Sequence, residues 1–452
     1  MPKIGEFLGW RRWSNPRKNN MQSVAAQRVE YSGMAKAVFL NVSGGGHVIA
    51  TYGLVKELRQ RGEEVVYFET ERYRHDIEAL GASFRANPEL PTPYAGPLSR
   101  WRFHHELDLP LVLCWWTLEW FPEVLERVRA ERPDYIVHDS LCLWGKLIAA
   151  HLGVPAICSV HTPAFNWRLR FASSAFWRDL PLMLLRGARP SVGFHRLANE
   201  LRRRHGVRVS AIETYTNPQP VNICHTPREL QPHDRLFDDR YHFVGSVHHL
   251  PNEAATSFDM SRLQDQIIYI GFGTICDPGP AFFRTCISAF RDIGTQVVML
   301  LSASTVPEDL GDIPDNFIVW SIARDGLAPQ LAILPRARLF VMNGGMGGAR
   351  ESAWCGVPML AVPTTFETHE ISMRIEQQGA GLRRNPGASA AEIRTVSQRL
   401  LSDESFARES ARIGDACRRA GGAGRAADIL QAYVQRAALS KPRPFVMAGS
   451  HS

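Results

Sequence analysis

The sequence predicts an α/β protein of two doubly wound domains, on three observations. Short apolar strands alternate with amphipathic helices along most of the chain. The alternation stops once, in a stretch rich in proline, histidine and aspartate, and then restarts. The 452 residues exceed what one compact core accommodates and suit two domains of roughly 200 residues each.

Residues 1–33 are polar and basic, without periodicity ("RRWSNPRKNN"), and read as a disordered leader. "KAVFLNV" (36–42) is the near-continuous apolar run of a parallel strand. It breaks at "SGGGH" (43–47), passes into helical "VIATYGLVKELRQRG" with Gly62 as its stop, and returns as the strand "EVVYFET" (64–70). The same unit recurs at "DYIVHDS" (134–140), "LWGKLIAAHLG" and "VPAICSV" (154–160). Within residues 161–220, "FNWRLRFASSAFWRDLPLMLLRG" is aromatic and amphipathic: either a packed helical excursion or the wall of a lipophilic pocket. These readings set an N-terminal domain at 34–225, a connector at 226–262, a C-terminal domain at 263–440 and a disordered tail at 441–452. In the second domain "QIIYIGFGT" (266–274), "TQVVMLLS", "FIVWSI", "ARLFVMN" and "VPMLAVP" are strands separated by helices. Such alternation makes parallel, Rossmann-like sheets covered on both faces, and ligands bind outside the carboxyl ends of their strands. A functional site is therefore expected in a cleft between two strand-end edges.

Composition narrows the function. With 45% hydrophobic and 21% charged residues, the chain has an ordinary globular make-up. The formal charge of +7 and the isoelectric point near 9.1 are compatible with anionic ligands or a peripheral membrane contact. No module of interleaved basic and aromatic residues points to nucleic acid. Eight scattered cysteines, none in a CxxC pair, argue against zinc and against a disulfide framework. The first thirty residues lack an apolar core of signal-peptide length, and "LPLVLCWWTLEWF" (109–121) is too short to span a bilayer. A cytoplasmic protein is expected; its oligomeric state is not written in the sequence.

The chemistry-bearing residues fall at strand ends. Gly344, Gly345, Gly347 and Gly348 follow the strand "LFVMN" and open a helix, where backbone N–H groups and close approach suit a diphosphate. The competing reading, a tight turn, needs fewer glycines. Glu351 lies one turn into that helix, either reaching ribose hydroxyls or standing as a solvated charge. Gly271, Gly273 and Thr274 close another strand of the second domain, with the Thr274 hydroxyl placed to donate to a phosphate. "SGGGHVIA" lacks the dinucleotide fingerprint and presents His47 instead, which sets a dehydrogenase aside. Asp139 ends "YIVHD" at the same sheet edge, and a histidine held by a carboxylate acts as a general base. Either residue alone is equally a loop group or a helix cap; the shared edge raises the pair. "PTTFETHE" (363–370) follows a strand as well, so Glu367, Thr368, His369 and Glu370 either meet sugar hydroxyls or form a solvated loop.

Together these segments resemble the inverting GT-B glycosyltransferases of family 1, near the bacterial macrolide-type branch. The resemblance spans roughly residues 36–430 and rests on "GGGHVIATYGLVKELRQRGEEVVYF", "PDYIVHDS", "VNICHTPRELQP" with "YHFVGS", "IGFGT" and "APQLAILPRARLFVMNGGMGGARESAWCGVPMLAVPTTFE". It implies a GT-B fold whose two domains face across a cleft, with His47 as catalytic base and Asp139 as its partner. By position, Ala328, Pro329 and Gln330 would hold the nucleotide base, Gly273–Thr274 and the Gly345–Ala349 turn the diphosphate, Glu351 the ribose and Glu367 the donor sugar. Two positions depart from the pattern. Asn343 stands where the family has His, so the side chain donates a hydrogen bond without carrying charge. Thr368 follows Glu367 where the family has Gln, so one contact to a glucose hydroxyl is expected to be missing.

The expected activity is inverting transfer of a hexose from a nucleoside diphosphate sugar, UDP-glucose or a related UDP-hexose, to a hydroxyl of a lipophilic small molecule. The alternatives are a dTDP-deoxysugar donor and a non-catalytic homologue that activates a partner enzyme; the presence of both His47 and Asp139 argues against the latter. No cofactor or metal is expected, since no DxD motif stands at a strand end and "DD" at 238–239 lies in the connector. Deleting residues 1–33 is expected to leave solubility and turnover unchanged. Aggregation or inactivity of the truncated chain overturns the leader assignment.

Overall fold

The computed structural model describes residues 35–88, 108–214, 216–245, 258–273, 278–302, 304–325 and 329–440. The leader, the tail, Thr274 and Ala328 lie outside the described residues. Strands β1 (Lys36–Leu40), β2 (Glu64–Glu69), β3 (Ser83–Ala86), β4 (Tyr135–Asp139), β5 (Ala156–Val160), β6 (Val221–Cys224) and β7 (Tyr241–Phe243) form a parallel sheet ordered β3-β2-β1-β4-β5-β6-β7. Strands β8 (Ile267–Gly271), β9 (Val297–Leu301), β10 (Phe317–Ser321), β11 (Ala337–Met342), β12 (Met359–Ala361) and β13 (Gly381–Arg383) form a second parallel sheet, β10-β9-β8-β11-β12-β13. The GT-B arrangement of two doubly wound sheets is present as expected. Both sheets bury apolar side chains on both faces, which is why their strands read as unbroken apolar runs.

Each sheet reverses its strand order once, at β1/β4 and at β8/β11. The loops after those strands diverge to opposite faces and leave a crevice at the carboxyl edge. His47 and Asp139 belong to the first crevice; Gly273 and the 343–348 turn belong to the second.

Three details differ from the sequence reading. The stretch read as a connector supplies β7, which pairs with β6 through Asn222–Tyr241, Ile223–His242 and Cys224–Phe243, so the first sheet extends past residue 225. Its three residues are too few to show a period against a polar background. The helix following the first glycine turn is two helices, Gly45–Ile49 and Tyr52–Gln60. The final helix, Gly422–Ser440, leaves the second half: Ala426, Ala427, Leu430 and Val434 sit in one core with Tyr52, Val55 and Leu58. Arg61 clamps it by hydrogen bonds to Asp428 (2.7 Å), Gln431 (2.9 Å) and the Gly424 carbonyl (3.0 Å).

The aromatic excursion folds as helices Trp167–Ala172 and Ser174–His205. Within the quoted stretch Leu169 joins a core with Cys158, Val160 and Phe237 while Phe171 and Trp177 are exposed; farther along the second helix, Phe194 and Leu201 pack on Leu111, Val112 and Cys114 of helix Asp108–Glu131. Among the described residues no helix is long and apolar enough to cross a membrane.

Leu430 is fully buried where the last helix meets the first domain. Leu430→Ala is therefore expected to cost about 2–5 kcal/mol of unfolding free energy, the usual range for a buried leucine that leaves a cavity. A denaturant midpoint unchanged by the substitution would show that this helix does not hold the two halves together.

Candidate active site

β1 ends at Leu40, and the chain turns through Ser43 and Gly44 before the helix Gly45–Ile49 presents His47. β4 lies beside β1, with Leu40 opposite His138, so its last residue, Asp139, stands next to that turn. His47 Nδ1 and Asp139 Oδ2 are 2.6 Å apart. Asp139 is fully buried, and its other oxygen accepts the Leu141 N–H at 2.6 Å. His47 is only partly covered. Burial lowers the basicity of its imidazole, but the charge and hydrogen bond of Asp139, with smaller help from Glu367 and Glu69, outweigh that loss and raise its pKa. The arrangement suits a general base: in the tautomer whose Nδ1–H donates to the carboxylate, Nε2 is left to take a proton.

Across the cleft, the helix Met346–Trp354 follows β11 with Gly345 as its N-cap. Its first internal bond runs from the Ala349 N–H to the Gly345 carbonyl (3.0 Å), so the N–H groups of Met346, Gly347 and Gly348 lie ahead of it. The four glycines serve different ends. Gly344 has φ +80° and stands so close to the helix Phe366–Gln377 that a Cβ would meet Ser372 Oγ at 2.2 Å and the Thr368 carbonyl at 2.8 Å. A Cβ on Gly347 would meet nothing within 4 Å. Gly344 is thus a packing requirement, while Gly347 opens the turn to a ligand. Asn343 Oδ1 accepts the Gly345 N–H at 2.9 Å and braces the same turn.

Gln330 and Glu351 come together: Gln330 Nε2 donates to Glu351 Oε2 at 2.5 Å, and the Tyr269 hydroxyl donates to Gln330 Oε1 at 3.4 Å. Pro329 stands at the N-terminus of the helix carrying Gln330, and Gly273, with φ +71°, follows β8 at the same edge.

The loop at 363–370 divides. Glu367 is exposed, on the first turn of helix Phe366–Gln377. Desolvation lifts its carboxyl above the usual value, and the charge of His47 opposes the lift. Thr368 is placed otherwise than the sequence reading expected. It is 4% exposed, and its Oγ1 accepts the N–H groups of Thr364 (3.1 Å) and Thr365 (2.9 Å) while lying 3.1 Å from the Thr365 carbonyl. The hydroxyl closes the helix's capping box and is spent there.

Two neighbours of the dyad went unremarked in the sequence. Glu69 ends β2 fully buried, with Oε1 accepting Ser43 Oγ (2.5 Å) and the Thr70 N–H (2.8 Å). His161 follows β5 at the same edge. The rule that located His47 and Asp139, a polar side chain just past an apolar strand, also marks these two.

Comparisons with known proteins point to glycosyltransferases. A family profile described as "Glycosyltransferase Family 4" matches residues 44–222, and one described as "Erythromycin biosynthesis protein CIII-like, C-terminal domain" matches residues 284–420. The chain is 30% identical over 432 residues to demethyllactenocin mycarosyltransferase of Streptomyces fradiae, covering 90% of this chain and 88% of that one. It is 29% identical over 416 residues to NDP-glycosyltransferase YjiC of Bacillus subtilis (strain 168), covering 88% and 97%. Among solved structures, the calicheamicin glycosyltransferase CalG4 superposes with a TM-score of 0.72 at 26% identity, over 90% of this chain and all of that one.

The buried Glu69 gives the site a measurable pH signature. Burial, opposed by the hydrogen bonds from Ser43 and Thr70 and aided by the Asp139 charge, pushes its carboxyl up to about 7 from the ordinary 4.5. Between those values the folded chain holds a proton that the unfolded chain has released, so this group's contribution to stability declines as pH rises from about 4.5 to about 7. Glu69→Gln removes that component. The melting temperature of the variant relative to the parent is expected to climb across this window and level off above it; a pH-independent difference would show that Glu69 is not held neutral.

Proposed function

The chain belongs to the family 1 GT-B glycosyltransferases, in their natural-product branch, and from that premise we propose that it moves a hexose, with inversion, from a UDP-sugar to a hydroxyl of a lipophilic small molecule. The observation that carries the reading is the 2.6 Å contact of His47 Nδ1 with the fully buried Asp139 at the carboxyl edge of the first sheet.

His47 Nε2 takes the acceptor's hydroxyl proton as the acceptor oxygen forms its bond to the anomeric carbon. The bond from that carbon to the diphosphate oxygen breaks on the opposite face, and the nucleoside diphosphate leaves with the electron pair. Asp139 fixes the imidazole tautomer and stabilises the imidazolium. The N–H groups of Gly347 and Gly348 and the dipole of helix Met346–Trp354 offset the charge developing on the diphosphate. We assign the nucleoside to Pro329, Gln330 and Glu351, with Ala328 beside them in sequence, the diphosphate to Gly273, Thr274 and Gly345–Ala349, and the donor sugar to Glu367. A positive end supplied by backbone amides makes a metal ion unnecessary in this scheme. We also place the reaction in the cytoplasm, and the exposed rings of Phe171 (52%) and Trp177 (55%) beside the exposed Arg168 support a peripheral membrane contact.

A dTDP-deoxysugar donor is the second reading, and one observation favours it. Thr368 has no hydroxyl to spare for the sugar, so a donor lacking a hydroxyl there loses nothing.

The test is a panel of UDP-hexoses and dTDP-deoxysugars offered with lipophilic alcohols and phenols, with and without EDTA. One donor class is expected to turn over and to do so equally in chelator. His47→Ala should lower its turnover by about 10²–10⁴-fold while the donor still raises the melting temperature. Near-full activity of that variant, or activity lost to EDTA and restored by metal, would overturn the scheme.

A further inference from the structure

Beside the dyad stands a second imidazole that the scheme above does not use. β5 neighbours β4, with Ser159 opposite Asp139, so His161, just past β5, arrives at the same carboxyl edge. It is 6% exposed. Its ring meets His47 edge to face (centroids 5.5 Å apart, planes at 68°) and stacks on His225 (4.7 Å, 21°). His161 Nε2 lies 3.4 Å from Asp139 Oδ2, the oxygen that His47 also contacts. Among the described residues neither ring nitrogen has a hydrogen-bond partner.

A buried polar atom left unpaired costs free energy, so two on one ring beside a reacting group call for an explanation. Packing alone does not supply one, since a phenyl ring stacks on His225 as well without the cost. The carboxylate in front of Nε2 does. We propose that His161 is a positioning residue for the transfer reaction: as a neutral imidazole it presents Nε2–H to Asp139 Oδ2 and shares that oxygen with His47, closing to hydrogen-bond distance when bound substrates exclude water. This rests on His47 being the base.

The charged and titratable groups around His161 fit that role. His47, Asp139 and His225 face it from its own sheet edge, and Arg350 faces it from helix Met346–Trp354. Burial foremost, then His225, His47 and Arg350, holds His161 well below the usual histidine value, so it stays a neutral donor while His47 cycles. Arg350 is itself anchored, its Nη1 donating to the His225 carbonyl at 3.0 Å. A hydrogen bond donated to a carboxylate spreads its charge and weakens its pull on the proton of His47. His161 thus fixes the orientation of Asp139 and keeps the base from becoming too strong to release its proton between turnovers.

The experiment compares His161→Phe, which keeps a flat ring but no donor, with His161→Gln, which restores an N–H near Nε2. His161→Phe is expected to lower kcat by roughly 10-fold, from a lost bond to a charged acceptor, with acceptor KM nearly unchanged. The acid limb of its pH–rate profile should move up by about half a pH unit or more, and His161→Gln should return both toward the parent. If His161→Phe changes neither kcat nor the limb, or if a folded His161→Gln matches His161→Phe in both, the ring is only a spacer. Should His161→Phe not fold, imidazole ¹⁵N spectra of the unsubstituted protein decide: a proton on Nε2 of His161 supports the assignment, and one on Nδ1 overturns it. His47→Ala, run alongside, separates the two levels. Loss of activity there with a silent His161→Phe sinks this inference alone, while full activity there removes the base on which both stand.

Discussion

The hydrogen bond between His47 and Asp139 is the constraint around which the first domain's edge is built. A carboxyl group as fully buried as Asp139 is costly to hold unless its lone pairs are met. Three groups converge on it: the Leu141 N–H at 2.6 Å, His47 Nδ1 at 2.6 Å and, further off, His161 Nε2 at 3.4 Å. Only the Leu141 N–H is local to β4. His47 arrives because β1 is its hydrogen-bonded neighbour on one side, and His161 because β5 is its neighbour on the other. The order β1-β4-β5, a reversal of chain order, is what turns three distant sequence positions into one charge arrangement.

That arrangement matters only if the second domain is brought to it, and the contacts between halves are specific. Arg350 Nη1 donates to the His225 carbonyl at 3.0 Å, Ser173 Oγ to Glu370 Oε1 at 2.6 Å, and Arg374 Nε to the Glu229 carbonyl at 2.7 Å. Phe165 and Phe366 meet at a centroid distance of 6.3 Å. Two of these partners, Glu370 and Phe366, lie on the helix that carries Glu367, so these contacts seat that helix against the first domain. The terminal helix Gly422–Ser440 adds an apolar tie by burying Leu430 and Val434 in the first domain's core.

Where the sequence was legible, one physical rule made it so: parallel strands buried on both faces are continuous apolar runs, and function collects just beyond them. The rule finds His47, Asp139 and the Gly344–Gly348 turn, and applied evenly it also finds Glu69 and His161. It fails where the signal is shared between two uses. A hydroxyl three residues into a helix, as in Thr365–Thr368, serves a cap as readily as a ligand, and only coordinates show Thr368 Oγ1 taking two backbone N–H groups. It fails again where the partner is distant. The stripe Ala426, Ala427, Leu430, Val434 shows which face of the last helix is buried, and nothing in its own sequence says that the first domain buries it.

The two departures from the family pattern then acquire a common physical meaning. Asn343 turns its Oδ1 onto the Gly345 N–H, and Thr368 turns its hydroxyl onto its own helix start. Both residues shape backbone rather than offer a charged or extended contact to the donor. In the proposed scheme the diphosphate is left to amides and a helix end, which hold an anion without reading its sugar. On that assignment donor choice concentrates in fewer groups: the Gln330–Glu351 pair on the nucleoside side and Glu367 on the sugar side. Glu367 carries a second burden, because its charge also bears on His47. In the proposed scheme a sugar that engages the Glu367 carboxylate withdraws part of that charge from the base, which would couple donor recognition and base strength through one side chain.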